Sequence, residues 1–214
     1  QFKLVGQLIS DGASGKSNND SSILKVDEGA PDSAVATWLL LFANTAPNAI
    51  SELTLIDDTL DSRMYYYAVG VSYNRAPFDY DVYGVKADGT EVLLGSVEKG
   101  TSKQVIVDQE AYDAITNQAN QIYAGTLDKA NASRVNRTYQ SIKIKLKDGS
   151  TIPPYEKPTV YVQTKLLNPF NETERENPIR YENGFHAEGL VDGFGQNGKF
   201  VTKPSTSTED LRYK

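Results

Sequence analysis

The chain has 214 residues, of which 39% are hydrophobic and 23% are charged. This composition excludes a wholly disordered chain, a collagen and a coiled coil. The net charge of −6 argues against nucleic acid as a partner, because affinity for phosphates depends on positive charge. The absence of cysteine excludes a disulfide scaffold, a cysteine-ligated metal site and a cysteine nucleophile. The longest apolar run, residues 34–43, is about half a membrane span, so no membrane-spanning segment is expected.

The first half of the chain contains mainly strand patterns. β-Branched and aromatic residues, which favour a pleated surface, predict strands over residues 2–9, 34–42, 53–56 and 64–73. The dipeptide Asp88-Gly89 separates two further runs, 80–85 and 91–94. Glycine supplies a positive φ without steric strain, so this dipeptide predicts a β-hairpin.

A single helix is predicted over residues 109–124. Asp108 can cap its first turn, and Glu110 lies where the helix dipole favours an acid. One face of this helix is apolar, formed by Ala111, Ile115, Ala119 and Ile122. Because strand patterns lie on both sides of it, we interpret the helix as an excursion between strands.

Two strands with period-two alternation follow the helix. Apolar residues at 142, 144 and 146 alternate with lysines at 143, 145 and 147, which predicts one buried and one solvated face. In the next predicted strand, residues 159–166, Val160 and Val162 alternate with Tyr161 and Gln163.

From Asn168 onward, turn dipeptides such as Asn177-Pro178 and Asp192-Gly193 dominate. We therefore predict a mainly β protein: an antiparallel jelly-roll-type β-sandwich over residues 1–166. Residues 167–214 are predicted to be an irregular C-terminal extension or arm that packs on the domain or on a neighbouring subunit.

The loop at residues 74–78 is the candidate binding site. It joins two strong strand patterns and carries Arg75 and Phe78, which no core pattern requires. Loops at one end of a sandwich commonly bind ligands. Asn74, Arg75, Phe78 and Tyr80 are therefore the predicted binding residues.

Asp57, Asp58 and Asp61 crowd the end of a predicted strand. Clustered carboxylates on a loop can bind calcium, and a solvated turn is the alternative. Calcium is the one cofactor that this sequence suggests. The one histidine, His186, lies beside no nucleophile motif, so we interpret it as a surface residue and expect no enzymatic activity.

Four sequons lie in predicted loops and are candidate glycosylation sites if the protein is secreted in a glycosylating organism; their asparagines are Asn19, Asn131, Asn136 and Asn171. The alternative is chance in an asparagine-rich chain. Gln1 is not a residue that removal of an initiator methionine normally exposes, so we expect a processed chain. Such a chain is expected outside the cell, on the cell surface or in a virion.

Residues 78–96 and 139–146 resemble the second half of discoidin-type galactose-binding-like modules. Those modules have a strand, an S-x-DG-x-x-W turn and a late R-Y-V-R-I strand. Here the tryptophan of the turn is absent, and Gln140 or Ser141 replaces the late arginine. The resemblance covers about half the chain and transfers no binding residue. It implies a jelly-roll sandwich with ligand loops at one end and a sugar or cell-surface ligand.

Two functions from different classes follow. The first is a non-enzymatic structural subunit of an extracellular or virion assembly, such as a filament, a surface layer or a virus particle. In that case residues 2–9, or the polar tail, are expected to pair with another copy, since strand addition satisfies an open sheet edge. The alternative is a monomeric cell-surface adhesin or carbohydrate-binding module, supported by the resemblance and by the loop at 74–78.

Overall fold

The computed structural model describes residues 3–10, 23–26, 34–170 and 179–213. These residues form thirteen strands and one α-helix. The strands are β1 (Val5–Ser10), β2 (Ile23–Val26), β3 (Ala36–Ala43), β4 (Ile50–Asp57), β5 (Met64–Val69), β6 (Tyr80–Val85), β7 (Glu91–Val97), β8 (Val105–Ile106), β9 (Ser141–Leu146), β10 (Thr159–Leu166), β11 (Ile179–Val191), β12 (Lys199–Val201) and β13 (Ser205–Tyr213). The helix α1 (Gln109–Tyr123) lies between β8 and β9.

The strands form two sheets, which face each other as a β-sandwich. The first sheet has the order β1-β3-β10-β5-β8, and the second has the order β2-β13-β11-β4-β9-β6-β7, with β12 beside β11. Most neighbouring strands are antiparallel, whereas β2 and β13 are parallel. A single main core between the sheets contains the buried residues Trp38, Phe42 and Tyr66. The predicted fold class, a mainly β antiparallel sandwich with one helix, is confirmed.

Strand β9 shows how the sequence pattern produces this architecture. Ile142 and Ile144 are completely buried, whereas Lys145 is exposed. Successive side chains of a strand point to opposite faces, so alternating residues separate core from solvent. The predicted orientation of this strand is confirmed.

The helix also follows its prediction. The carboxylate of Asp108 accepts a hydrogen bond from the backbone N–H of Ala111 and so caps the first turn. The buried face of the helix, Ala111, Ile115 and Ala119, packs against Tyr65 of β5 in a second, smaller hydrophobic cluster. The helix thus covers part of the first sheet.

The structure differs from the sequence expectation after residue 167. Where an irregular tail was expected, β11, β12 and β13 are strands of the second sheet. β11 lies between β4 and β13 and places Phe185 and Ala187 in the main core. Turn dipeptides obscured this strand, because Asn183-Gly184 here continues an extended backbone instead of reversing it.

The two segments expected to pair with another copy both pair within their own chain. β1 is antiparallel to β3, and Leu8 within it and Leu4 just before it are buried. The backbone N–H of Leu8 donates a 3.0 Å hydrogen bond to the hydroxyl of Ser205 in β13. β13 in turn pairs with β11 and β2. No helix among the described residues is long and apolar enough to cross a membrane.

Candidate functional site

The structure separates the four residues predicted to bind ligand. Phe78 and Tyr80 are each only 2% exposed, and their rings pack edge to face in the core with centroids 5.7 Å apart. Phe78 offers no surface to a ligand, so the prediction is wrong for this residue. Tyr80 borders the hollow described below, but almost none of its ring is exposed. Arg75 is exposed and Asn74 is half-buried, which leaves both on the surface beside the core.

Two tyrosines form an aromatic surface next to this loop. Tyr73 is 66% exposed, and Tyr161 on β10 is half-buried. Their ring centroids lie 5.8 Å apart in an edge-to-face arrangement. They are far apart in sequence and meet because β5 and β10 are antiparallel neighbours. The backbone N–H of Gly70 continues that pairing with a 2.8 Å hydrogen bond to the carbonyl of Tyr161.

Gly70 also directs the loop that carries Tyr73. Its φ of +87° ends β5 in the left-handed region, where residues other than glycine are strained. A Cβ at this position would lie 2.7 Å from the carbonyl oxygen of Lys103. Glycine therefore allows the end of β5 to approach the backbone at Lys103. As a result, the loop that carries Tyr73 and Arg75 lies beside Lys103.

A shallow hollow of about 10 Å³ adjoins Tyr161, which forms part of its wall. Arg75, Lys103, Asn74, Thr101 and Thr159 are among its other lining residues. No Asp or Glu is among the described residues that line it. The Lys103 ammonium donates a 2.8 Å hydrogen bond to the carbonyl of Ser96, which holds its position. We call Tyr73, Arg75, Lys103 and Tyr161 the tyrosine surface.

Two glutamines extend this surface, Gln163 on β10 and Gln104 directly before β8. Gln163 lies two residues beyond Tyr161, and alternation along the strand places both on the same face. The Gln104 amide donates to the carbonyl of Gly70 at 3.1 Å and to the Gln163 amide oxygen at 2.7 Å. The Gln163 amide N–H donates to the Thr37 hydroxyl at 3.3 Å. This chain of hydrogen bonds fixes both amides beside the rings.

A larger groove, with a cavity volume of about 1130 Å³, opens on the second sheet. Register places Glu188, Thr54 and Lys145 side by side on one face of β11, β4 and β9. Charged residues of both signs line the groove, namely Lys3, Lys145, Lys199, Lys203, Glu52, Asp148 and Glu188. Among the described lining residues the one aromatic is Phe200, which is only 5% exposed and belongs to the core. The described part of the groove therefore offers charge of mixed sign without an accessible ring.

The predicted calcium ligands do not converge on a common site. Asp57 is completely buried and accepts hydrogen bonds from Tyr66 and Asn183. The carboxylate of Asp61 accepts a bidentate pair from Arg63, at 2.8 and 2.7 Å, and this lowers the pKa of Asp61 against the opposing effect of its burial. Each carboxylate thus has a separate partner. In the part of the chain that the structure describes, no three His, Cys, Asp or Glu residues form a group suited to a metal ion.

Asp58, the remaining acid of that cluster, faces His186. Its Oδ2 lies 3.8 Å from the Nδ1 of His186, and its Oδ1 accepts a hydrogen bond from Thr59. His186 is half-buried on β11. This contact is a surface pair between β11 and the end of β4.

Two of the four predicted glycosylation sites lie within the described residues. Asn131 ends a short 3-10 helix, Lys129–Asn131, and Asn136 lies in the following loop; both are exposed. The sequon threonine Thr138 donates its hydroxyl to Asp108 at 2.9 Å. Asn19 and Asn171 lie outside the described residues. Glycosylation at all four stays a prediction.

Sequence reasoning missed Tyr73, Lys103 and Tyr161 as members of a site. One signal was present, because Tyr161 alternates with buried Val160 and Val162 and must face away from the core. For Tyr73 and Lys103 no such pattern exists. Their proximity to Tyr161 depends on the pairing of β5 with β10 and on the close approach at Gly70.

No family model and no curated protein matches this chain. Two solved streptococcal structures are similar to it. The N-terminal domain of the Streptococcus gordonii adhesin Sgo0707 aligns with 96% of this chain and 32% of its own, at 11% identity and a TM-score of 0.36. The Streptococcus suis adhesion Fhb aligns over 97% of this chain and 100% of its own chain, at 12% identity and a TM-score of 0.36. This chain spans about a third of the length of the Sgo0707 structure. At these TM-scores the similarities support neither a shared fold nor a shared function.

Proposed function

We propose that this chain is a non-enzymatic extracellular carbohydrate-binding module of the adhesin type, and that it binds glycans at the tyrosine surface. The observation that carries the proposal is the exposed ring of Tyr73, set edge-on to Tyr161 beside the exposed Arg75. The galactose-binding-like resemblance of residues 78–96 and 139–146 implies the same class of ligand.

The chemistry of the surface suits a sugar. A tyrosine ring offers apolar area for the C–H face of a pyranose, and its hydroxyl can hydrogen-bond at low cost in conformational entropy. Asn74, Arg75 and Thr159, which line the hollow, can supply further polar contacts, and Lys103 keeps N–H donors beyond its bond to the Ser96 carbonyl. An aromatic surface bordered by converging polar groups can hold a sugar by its ring and select it by its hydroxyls.

The surface is also held in place before a ligand arrives. Tyr161 lies on β10, which is paired on both sides by β3 and β5. The amides of Gln104 and Gln163 are fixed by hydrogen bonds to each other and to Thr37. A preorganised site loses less conformational entropy on binding, which favours affinity for a small ligand.

The internal pairing of both chain ends favours a binding module over a structural subunit. Strand addition between copies needs a free strand on one chain and an open sheet edge on another. Here β1 is paired with β3 on one side, and β13 is paired with β11 over residues 205–211 and with β2 over residues 210–213. The segments that were expected to join copies therefore have partners in their own sheets.

The test is a glycan array followed by calorimetry with Tyr73→Ala and Tyr73→Phe. We expect Tyr73→Ala to weaken binding at least about fivefold, because stacking on one ring contributes on the order of 1 kcal/mol or more. Tyr73→Phe keeps the ring and should retain most of the affinity. The exposed Tyr123 on α1 provides the matched control, and Tyr123→Ala should bind as the unmodified chain does.

A groove variant, Lys145→Gln combined with Glu188→Gln, separates the two surfaces. We expect it to bind glycan normally. Loss of binding in this variant, with Tyr73→Ala unaffected, would move the site to the groove and overturn the proposal. A chain that binds no glycan on the array would overturn it as well. Light scattering of the purified chain is expected to give the mass of a monomer.

A further inference from the structure

We infer that the glycan bound at the tyrosine surface carries a carboxylate, as a uronic or sialic acid does, and that Arg75 pairs with that carboxylate. This inference rests on the proposed function and names the class of ligand for the same site. The residues that carry it are Arg75 and Lys103, which line one hollow beside Tyr161.

The first step is charge. The whole chain has a net charge of −6, yet the described lining of the hollow contains two cations and no acid. Acidic side chains elsewhere neutralise other cations, as Asp61 does for Arg63 and Glu91 does for Lys143 at 2.8 Å. A positive hollow in an acidic protein is complementary to an anion.

The second step is that the guanidinium of Arg75 is accessible. Arg75 is exposed, and the described structure gives it neither an ion pair nor a side-chain hydrogen bond, in contrast to Arg63 and Arg137. Arg137 is held by backbone carbonyls, among them that of Asp61 at 3.1 Å. The guanidinium of Arg75, with its five N–H donors, is therefore available to a ligand at the hollow.

The third step is geometry. A guanidinium is a planar fork of donors that matches the two oxygens of a carboxylate, so a bidentate pair with a sugar acid is favoured over a contact with a single hydroxyl. Lys103 is anchored by its hydrogen bond to Ser96 and retains further N–H donors. Tyr73 and Tyr161 would then contact the sugar ring to which the carboxylate is attached.

The experiment compares each acidic glycan with its own methyl ester, which has the same ring and hydroxyls without the charge. Oligosaccharides of galacturonic acid and of sialic acid serve as probes, and a sulfated oligosaccharide of the same length distinguishes carboxylate from sulfate. Binding is measured by calorimetry at fixed salt. We expect the better acidic probe to bind at least about tenfold more tightly than its ester, the scale of one charge-assisted hydrogen bond.

Three variants identify the residue responsible. Arg75→Gln should bring the ratio of acid to ester affinity close to one, whereas Arg75→Lys should retain an intermediate ratio, since lysine keeps the charge and loses the fork. Lys199→Gln, a change of the same kind in the groove of the second sheet, should leave the ratio unchanged. Folding of each variant is checked by its melting temperature, and exposed Arg75 is expected to tolerate both changes.

The outcomes separate this inference from the proposed function. Equal binding of acid and ester, an unchanged ratio in Arg75→Gln, or stronger binding of the sulfated probe would overturn the carboxylate assignment. In each of those cases, loss of binding in Tyr73→Ala would still support a glycan site. Failure of every probe, acidic and neutral, would overturn both.

Discussion

The hydroxyl of Tyr66 lies 2.7 Å from Oδ1 of Asp57, and both side chains are completely buried between the two sheets. The same hydroxyl lies 2.9 Å from the backbone carbonyl of Asp57, and the amide of Asn183 donates to Oδ2 at 2.8 Å. This polar group links β4, β5 and β11 at the centre of the sandwich. Burial raises the pKa of Asp57 from 3.8 to about 7, against the opposing effect of the hydrogen bonds from Tyr66 and Asn183.

A protonated Asp57 satisfies every hydrogen bond in this group. When Asp57 is ionised, the Tyr66 hydroxyl donates to its Oδ1. When Asp57 is protonated, that hydroxyl can donate to the Asp57 backbone carbonyl instead and accept from the carboxyl O–H, while Oδ2 accepts from Asn183. Two charged neighbours have smaller effects on the pKa of Asp57: Asp58 raises it and Arg137 lowers it. A buried carboxyl is expected to stay neutral when no cation is in contact with it.

The first prediction concerns pH. The folded chain retains the Asp57 proton between pH 4 and 7, whereas the unfolded chain releases it near pH 4. The contribution of this group to stability is therefore complete below the unfolded pKa of 3.8 and is lost as the pH rises from there through the folded pKa near 7. The pKa difference corresponds to about 4 kcal/mol in the free energy of unfolding.

Asp57→Asn isolates that effect, because an asparagine amide can donate to Tyr66 and accept from Asn183 in place of the neutral acid. The variant and the unmodified chain should have similar free energies of unfolding at pH 4, and the variant should be more stable at pH 8. Urea unfolding at several pH values measures the difference. A constant difference across this range would show that Asp57 does not titrate differently in the folded state.

The second prediction concerns the two faces of β9. Ile144→Asp places a charge in the core at a completely buried position and should lower the free energy of unfolding by several kcal/mol, roughly 3–5. Lys145→Asp, one residue along and exposed, is the matched control and should change stability by less than about 1 kcal/mol. Equal melting temperatures for the two variants would contradict the orientation of this strand.

The third prediction distinguishes core from surface at the loop beside the tyrosines. Phe78→Ala removes a ring that packs on Tyr80 in the core and should cost about 3–5 kcal/mol. Arg75→Ala should leave stability within about 0.5 kcal/mol. Thermal unfolding of the two single variants measures both effects. A stable Phe78→Ala protein would place Phe78 outside the core.

The fourth prediction concerns the indole of Trp38. Its N–H donates a 2.9 Å hydrogen bond to the hydroxyl of Thr164, and both residues are completely buried. Thr164→Val leaves this donor unsatisfied and should cost about 1–3 kcal/mol. Thr159→Val on the same strand is half-buried and is expected to be nearly neutral. Denaturant unfolding of both variants provides the comparison.

The amino-acid sequence determined the class of this fold and most of its strands. In β9, alternation of isoleucine with lysine fixes which face is buried, and in α1 the Asp108 cap and the apolar face fix a helix. Such patterns are local, because the period of a strand or helix and the hydrogen bonds of a cap involve residues close in sequence. The apolar run around Trp38 likewise predicted a buried strand.

Strand β13 shows where local pattern fails. Its first six residues, Ser-Thr-Ser-Thr-Glu-Asp at 205–210, contain no large apolar residue and resemble a polar linker. This segment is extended because β11 pairs with residues 205–211 and satisfies backbone hydrogen bonds there, while β2 pairs with residues 210–213 at the end of the strand. The neighbouring β11 contains Asn183-Gly184, a dipeptide that predicts a turn, so the sequence pattern did not predict this partner strand either.

The candidate site was decided by tertiary structure. Phe78 and Arg75 belong to one loop, and their sequence gives no period that assigns one to the core and the other to solvent. Tyr73 and Tyr161 meet because β5 pairs with β10 and because Gly70 allows a close backbone approach to Lys103. Local sequence encodes the conformation of each strand, whereas contacts between distant residues depend on which strands pair, and pairing follows from burial of the whole core.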